Sequence, residues 1–396
     1  MKILQINCVY KVGSTGKIVY DLHTELLKEK MTSYICYGRG KIYKENNVFK
    51  ITSEIEAKLN ALQARITGIQ YEGSYFGTNI LLQIIEEKKP DIIHLHCLNG
   101  FFVNIHRLLE FLKKKKQNTL ITLHAEFFYT GNCGHAFECN QWKEGCIKCN
   151  SKKKSTYSNL YDSTRRNWLK MYKSFEDFDN LKIIAVSPWL KKRAQEAKIF
   201  ENRKIDIIEN GIDTEKIFYF RKNSNFFKDK SYKYLLHITP NFENEVKGGE
   251  HILELSKLNK DKQIKIIIVG KSIRKIFPEN IIYLGEIFDQ NILAEIYSAV
   301  DLTLIVSKRE TYSMPVAESL ACGTPVIGFE CGAPEEIAIK EYSEFIKYGN
   351  IEKLNEVIQN WLKITVDKQR LSSQACKRYS KYEMVKKYLN TYRSFI

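Results

Sequence analysis

Two glutamates, Glu310 and Glu318, stand with seven residues between them in Ser307-Lys308-Arg309-Glu310-Thr311-Tyr312-Ser313-Met314-Pro315-Val316-Ala317-Glu318. The segment runs on into Ser319-Leu320-Ala321-Cys322-Gly323-Thr324-Pro325-Val326-Ile327. Carboxylates accept hydrogen bonds, which suits them to sugar hydroxyls. The pattern predicts a strand ending near Val306, a loop carrying Glu310, and a helix that Ser313 caps, Pro315 helps to start and Gly323 stops. Amides at such a helix start can bind a diphosphate. Two surface glutamates on an ordinary amphipathic helix would show the same spacing, but not the flanking proline and small-residue run.

Other segments offer weaker chemistry. Val12-Gly13-Ser14-Thr15-Gly16-Lys17-Ile18 follows the first predicted strand. It is neither G-x-G-x-x-G nor a P-loop, because Gly13 and Gly16 are too close and Ile18 follows the lysine. Backbone amides of Gly13, Ser14 and Gly16 could still approach a sugar or phosphate, although an ordinary strand–helix turn reads alike. Cys133, Cys139, Cys146 and Cys149 share a loop with His135 and Trp142. Only Cys146 and Cys149 have zinc-knuckle spacing, so a structural zinc and four thiols both stand as readings. Asp177-Phe178-Asp179 has D-x-D spacing but sits in a plain loop before a strand, where chance explains it better. No divalent ion or cofactor is expected in the chemistry.

These residues need elements to position them. Short β-branched runs alternate with amphipathic segments from Ile3 to Phe329, the pattern of parallel sheets covered on both faces. The strand–helix series runs twice, so the expected fold is α/β with two doubly wound, Rossmann-like domains. The expected domains are 1–213 and 234–380, with 214–233 as a polar, aromatic linker. The basic amphipathic helix 381–396 is expected to pack back toward the first domain. Ligands of such sheets sit outside the carboxyl ends of the strands, and a cleft between the domains is the expected site.

Size and composition agree. The 396 residues suit two domains of about 150 to 200 residues each. Hydrophobic residues at 44% and charged residues at 27% exclude wholesale disorder, collagen and coiled coil. The +16 charge, from 62 Lys+Arg against 46 Asp+Glu, suits a polyanionic partner: nucleic acid, an anionic membrane surface or a phosphorylated substrate. No stretch approaches the roughly 18 apolar residues that cross a bilayer, and the N-terminus turns polar too early for a signal peptide. A cytoplasmic location is therefore expected, with the ten cysteines as thiols or metal ligands. Residues 101–200 hold 19 Lys+Arg and 9 Asp+Glu. There Lys113 to Lys116, Lys152 to Lys154 and Arg165-Arg166 accompany Phe111, Trp168, Tyr172 and Phe175. Such a surface can lie on an anionic membrane, bind nucleic acid, or be merely solvated.

The Glu310–Glu318 element with its Ala321-Cys322-Gly323-Thr324-Pro325-Val326-Ile327 run resembles the donor-site signature of retaining family 4 glycosyltransferases of the GT-B fold. Val186-Ser187-Pro188-Trp189, Glu209-Asn210-Gly211-Ile212-Asp213 and Gly332-Ala333-Pro334-Glu335 resemble further family elements in the family's order. The resemblance covers essentially the whole chain and is closest to bacterial capsule and exopolysaccharide enzymes. It implies that Glu310 contacts hydroxyls of the transferred sugar, that Glu318 contacts the nucleotide ribose, and that Thr311, Tyr312, Ser313 and Met314 line the donor site. It also implies that Lys247 binds the donor diphosphate, where a cation meets the charge that builds on the leaving group. The family's second cation, an arginine just upstream, is replaced by Asn241-Phe242-Glu243-Asn244-Glu245; Lys271 is either its substitute or a solvated lysine. The Gly13–Gly16 loop would face the donor. His124 would stand beside the transferred sugar, with Ala125-Glu126 where the family often has Asp. His94 and His96 read as core residues or supports behind the site.

What the resemblance implies is transfer of a sugar from a UDP- or GDP-sugar to a saccharide acceptor, lipid-diphosphate-linked, with retained configuration. Front-face attack is expected, since no carboxylate nucleophile stands out in the first domain. The acceptor would bring the enzyme to the inner face of the cell membrane, and no nucleic-acid partner is expected. A GT-B-type nucleotide-sugar epimerase or hydrolase, and a basic zinc-containing nucleic-acid-binding protein, are the rival readings.

Overall fold

The computed structural model describes all residues except 151, 152, 154–157, 225, 230, 260–262 and 396. The chain divides into two units, Met1–Glu209 with Val385–Ile396, and Asn210–Met384.

The first unit is built on seven parallel strands: β1 (Lys2–Asn7), β2 (Thr32–Tyr37), β3 (Val48–Lys50), β4 (Ile92–Leu95), β5 (Thr119–Leu123), β6 (Leu181–Ala185) and β7 (Ile205–Ile207). Their order is β3-β2-β1-β4-β5-β6-β7. Every residue of β4 and β5 is buried, as a sheet covered on both faces requires. The crossovers are α1 (Gly13–Lys28), α2 (Glu54–Thr67), α3 (Tyr75–Lys88), α4 (Ile105–Lys114), α5 (Thr164–Phe175) and α6 (Pro188–Gln195). Residues 48–88, where the sequence suggests no element, form β3, α2 and α3. The buried residues of α2 are Ala57 and Ala64, so it lacks the large core-facing stripe by which helices are recognised.

The second unit has six parallel strands: β8 (Lys233–Asn241), β9 (Ile264–Lys271), β10 (Ile281–Gly285), β11 (Leu302–Ile305), β12 (Val326–Phe329) and β13 (Ser343–Ile346). They are ordered β10-β9-β8-β11-β12-β13. Its helices are α7 (Gly249–Leu258), α8 (Gln290–Ala299), α9 (Met314–Ala321), α10 (Pro334–Ile337), α11 (Ile351–Trp361) and α12 (Lys368–Arg378). Leu235, Ile252, Ile266, Leu304, Ile327 and Leu354 belong to one buried cluster joining strands to covering helices. Thr214, Phe220 and Arg221, within the expected linker, pack on this unit. The Thr214 hydroxyl donates to the Cys376 carbonyl at 3.2 Å, the Phe220 amide to Ser372 Oγ at 3.0 Å, and the Arg221 guanidinium to the Asn291 carbonyl at 2.8 Å.

The last helix, α13 (Lys381–Arg393), begins in the second unit, and from Val385 it groups with the first. In each sheet the strand order reverses beside the first strand, between β1 and β4 and between β8 and β11. Those are the switch points at which doubly wound sheets bind ligands.

Candidate active site

The switch point of the second unit carries its principal polar pair. The loop after β8 reaches the end of β11 because residue 248 is glycine. Gly248 has φ +73°, and a Cβ there would fall 2.1 Å from the Val306 carbonyl oxygen. The Lys308 amide donates to the Val246 carbonyl at 2.8 Å and ties the two loops together. Lys247 Nζ therefore stands 2.7 Å from Glu310 Oε1, with the lysine side chain 26% and the carboxylate 17% exposed. The Glu310 backbone is fixed in turn: its amide donates to Cys331 O at 2.9 Å, and its carbonyl accepts from Ala333 N at 3.1 Å.

Beneath this pair lies His237 on β8, a polar residue in an apolar strand that no local sequence signal sets apart. Its Nδ1 is 3.5 Å from the Leu304 carbonyl, and its Nε2 is buried without a hydrogen-bond partner among the described residues. Burial, assisted by Lys247 and opposed by Glu310, lowers its pKa to about 4. His237 is thus neutral at physiological pH, which spares Lys247 and Glu310 a second buried charge.

The rest of the expected donor set is dispersed. Glu318 lies on α9, where its Oε2 accepts from the hydroxyl of buried Tyr297 at 3.0 Å. Lys271 is exposed at the end of β9, in register with Asn241, one strand away from the switch point. Glu243, in the segment upstream of Lys247, accepts from Ser272 Oγ at 2.6 Å and Ile273 N at 3.1 Å. These bonds hold its carboxyl below the ordinary range. Tyr312 is 3% exposed and donates to the Asn210 carbonyl at 2.7 Å, so it anchors the loop. Thr311 and Met314 are half-buried.

One local expectation fails: Ser313 does not cap α9 with its side chain. Its backbone is at φ 80°, ψ 89°, whereas capping serines are extended, and no side-chain cap bond forms. Gly323 does end the helix, in left-handed geometry at φ +80°.

In the first unit, α1 starts at exposed Gly13 and Ser14, and Val12 supplies no side-chain cap to its amides. Gly16 lies deeper, where a Cβ would meet Val9 Cγ2 at 3.2 Å and Lys11 N at 3.3 Å. It packs the turn. Asn7 joins the two strands of this switch point, donating to Val9 O at 2.6 Å and accepting from Cys97 N at 3.0 Å.

His124 follows β5 and is buried. Its Nε2 stands 3.2 Å from His96 Nδ1. His96 Nε2 has no partner among the described residues. His94, whose ring centroid is 3.9 Å from that of His96, places Nδ1 2.7 Å from the Tyr392 hydroxyl and Nε2 2.8 Å from Thr122 Oγ1. Tyr388 completes the chain with its hydroxyl 3.0 Å from Thr122 Oγ1. The three histidines thus rest on two tyrosines of α13, a connection invisible in the sequence, where the bonded residues are 266 and 298 positions apart. Burial lowers His124 to about 4 and His94 and His96 well below the ordinary histidine value.

Glu126 is fully buried and committed elsewhere. It accepts from Arg193 Nε at 2.6 Å, the Tyr129 hydroxyl at 3.2 Å and the Ala136 amide at 2.8 Å. His96, not Glu126, is the partner seen at His124.

The cysteine loop is organised by that same glutamate. The Arg193 guanidinium lies 4.8 Å from the ring centroid of buried Trp142, whose indole N–H donates to the Cys139 carbonyl at 2.6 Å. Among the described residues no three His, Cys, Asp or Glu side chains gather into a group able to hold a metal ion. Cys133, Cys139, Cys146 and Cys149 nevertheless lie near one another, since Cys146 and Cys149 act on the Cys133 thiol and Cys139 and Cys149 on that of Cys146. Burial pushes the Cys133 and Cys146 thiols up to about 12, so both are protonated at neutral pH. Of the residues expected on the basic–aromatic surface around α5, Trp168 and Phe175 are buried, Tyr172 is half-buried, and Arg165 and Arg166 are exposed. No helix among the described residues is long and apolar enough to cross a membrane.

Comparison with known proteins agrees with this architecture. Residues 16–216 match the family model Glycosyltransferase Family 4, and residues 220–378 match Glycosyl transferases group 1. The chain is 23% identical over 415 residues to a putative colanic acid biosynthesis glycosyl transferase, WcaC, of Escherichia coli K12, covering 100% of both chains. It is 26% identical over 150 residues to the N-acetyl-alpha-D-glucosaminyl L-malate synthase of Bacillus anthracis, covering 34% of this chain and 38% of that one. Among solved structures, sucrose-phosphate synthase from Thermosynechococcus elongatus superposes with TM-score 0.74 at 15% identity, covering 100% and 98%. Anabaena Alr3699/HepE in complex with UDP and glucose gives 0.67 at 15%, covering 100% of both. At that identity the structures show a shared fold of two parallel-sheet, Rossmann-like domains. The family match over residues 16–216 carries the assignment further: this chain belongs to glycosyltransferase family 4 and is a glycosyltransferase of the GT-B class.

Proposed function

We propose that the enzyme transfers a hexosyl group from a UDP- or GDP-sugar to a saccharide acceptor carried on a lipid diphosphate, with retention of configuration, during synthesis of a capsule or exopolysaccharide. The observation that carries the reading is the Lys247–Glu310 pair, 2.7 Å apart and partly exposed at a sheet switch point. The whole-length similarity to a putative colanic acid biosynthesis glycosyl transferase supports the polysaccharide context, and the UDP complex of a protein of the same fold supports a nucleotide-sugar donor.

In this reading Lys247 meets the donor diphosphate and Glu310 accepts hydrogen bonds from hydroxyls of the sugar. Charge that develops on the leaving diphosphate as the glycosidic bond breaks is balanced by the ammonium group. The side-chain-free start of α9 adds backbone amides for the same charge. The acceptor hydroxyl attacks the sugar from the face the diphosphate leaves, and the departing phosphate oxygen takes its proton. In the first unit His124, neutral through burial, is the candidate hydrogen-bonding group for substrate. An acceptor on a lipid diphosphate places the enzyme at an anionic membrane face in the cytoplasm.

The test is a panel of UDP- and GDP-sugars assayed for nucleoside diphosphate release with and without lipid-linked acceptor. Acceptor-dependent release supports the reading. Release that needs no acceptor, or interconversion of free nucleotide sugars, overturns it.

A further inference from the structure

Helix α2 is turned the wrong way for a core helix. Its buried residues are Ala57 and Ala64, with Asn60 and Ala61 half-buried on the same side. Ile55, Leu59, Leu62 and Ile66 follow the spacing of one helical stripe on the opposite side, and they are 73%, 61%, 54% and 43% exposed. A helix that needed only to cover the sheet would carry polar residues there.

Two neighbours enlarge this apolar ridge. Asn60 donates to Ser74 Oγ at 2.7 Å, and Glu56 accepts from the Gly77 amide at 3.3 Å. These bonds fix the start of α3, which exposes Tyr75, Phe76 and Ile80. At the other end of α2, the Asn159 amide donates to the Arg65 carbonyl at 2.7 Å, and Ser163 Oγ donates to the Thr67 carbonyl at 2.8 Å. The residues between, Leu160 and Tyr161, are exposed. So large a gathering of exposed apolar side chains marks an interaction surface.

We propose that α2, with Tyr75, Phe76, Leu160 and Tyr161 at its two ends, docks this unit on an anionic lipid bilayer. Charge selects the occupant. Exposed Lys58 and Arg65, seven residues apart, flank the ridge on one side, where their stems can lie along acyl chains and their heads reach lipid phosphates. Arg165 and Arg166, just after Leu160–Tyr161, are also exposed, Arg166 in an ion pair with Glu72. A second copy of this chain would bring another +16 to the interface, whereas an anionic surface is attracted by the same charge. The ridge also belongs to the carboxyl end of the sheet. The Ser74 hydroxyl, which holds α3 to α2, donates to Phe101 O at 2.6 Å, and Phe101 lies in the loop that follows β4. This assignment rests on the transferase reading only in supplying a reason for the surface, a lipid-linked acceptor.

The test is co-sedimentation of the full chain with vesicles, without donor or acceptor. One set is phosphatidylcholine alone and the other equal parts phosphatidylcholine and phosphatidylglycerol. The protein is expected to bind the mixed vesicles. The Leu59→Ser, Leu62→Ser double variant is expected to lose about tenfold or more in partitioning through lost apolar burial. The Lys58→Glu, Arg65→Glu variant, which leaves the leucines in place, is expected to weaken binding and its salt dependence. Wild-type protein that ignores mixed vesicles overturns the proposal, as does wild-type-like binding by folded leucine variant. A wild-type dimer in light scattering that the leucine variant converts to monomer assigns the ridge to self-association and also overturns it. A failed donor panel beside intact vesicle binding would remove the transferase reading alone.

Discussion

Gly248 lies so close to Val306 that a single added methyl carbon would sit 2.1 Å from the Val306 carbonyl oxygen. That approach, made in a left-handed conformation, delivers Lys247 to Glu310. Gly248→Ala combines strain with a steric clash, and we expect it to cost about 1–3 kcal/mol. Urea denaturation of the variant should show a lower midpoint, and its rate of sugar transfer should fall because the lysine is displaced. Unchanged stability would mean that the loop has room to move.

Lys247 and Glu310 should both be needed for the chemical step. Lys247→Ala and Glu310→Ala are expected to lower kcat/KM by much more than tenfold, while circular dichroism remains native. A loss within about tenfold, about 1.4 kcal/mol of barrier, would remove these residues from the catalytic role. Lys271→Ala, an exposed position one strand away, is expected to retain most activity.

Acid should destabilise the fold through its buried histidines. His124 and His237 are lowered to about 4, and His94 and His96 well below the ordinary value, chiefly by burial. Between the unfolded value of 6.5 and about 4, the unfolded chain binds protons that the folded chain refuses. Stability is therefore full above 6.5 and falls as pH drops through this window, by at most about 1.4 kcal/mol per histidine per pH unit. Urea midpoints measured at intervals from neutral to acid pH should trace this slope, and His237→Gln should reduce it by one histidine's share. A flat profile would show that these histidines titrate normally.

Breaking the Glu126–Arg193 pair should loosen the cysteine loop. Glu126→Ala leaves the buried guanidinium and the Ala136 amide without their carboxylate, at a cost of about 3–5 kcal/mol. Denaturation midpoints measure the loss, and altered Trp142 fluorescence would report the loop. A chelator titration beside it decides between thiols and zinc at Cys133, Cys139, Cys146 and Cys149: wild-type stability that stays constant leaves thiols, and a fall assigns a structural zinc.

The Tyr388 and Tyr392 hydroxyls should matter for histidine geometry. Replacing both with Phe leaves ring packing intact and removes the bonds to Thr122 and His94. We expect kcat to fall by several-fold with little change in donor KM. An equal fall in thermal stability with unaltered kcat would limit the tyrosines to a structural part.

Strand–helix alternation, the Glu310 loop and the Lys247 segment were legible in the sequence, since each depends on neighbours a few residues away. Whether Trp168 and Phe175 face solvent was not, because it depends on which face of α5 packs against α4, a segment about 60 residues earlier in the chain. Ser313 misled for a similar reason. A serine before a proline-started helix is a local capping signal, but the loop carrying buried Tyr312 imposes a left-handed backbone there.

The sequence by itself determined two parallel α/β sheets, the family and the residues at the carboxyl ends of the strands, because hydrophobic period and short motifs are local. Only the tertiary structure decided that Lys247 meets Glu310, that His124 leans on His96 and not Glu126, and that α2 keeps its leucines outside. Each of those outcomes depends on which surfaces meet when strands distant in the chain become neighbours, and burial then sets charge and partner together.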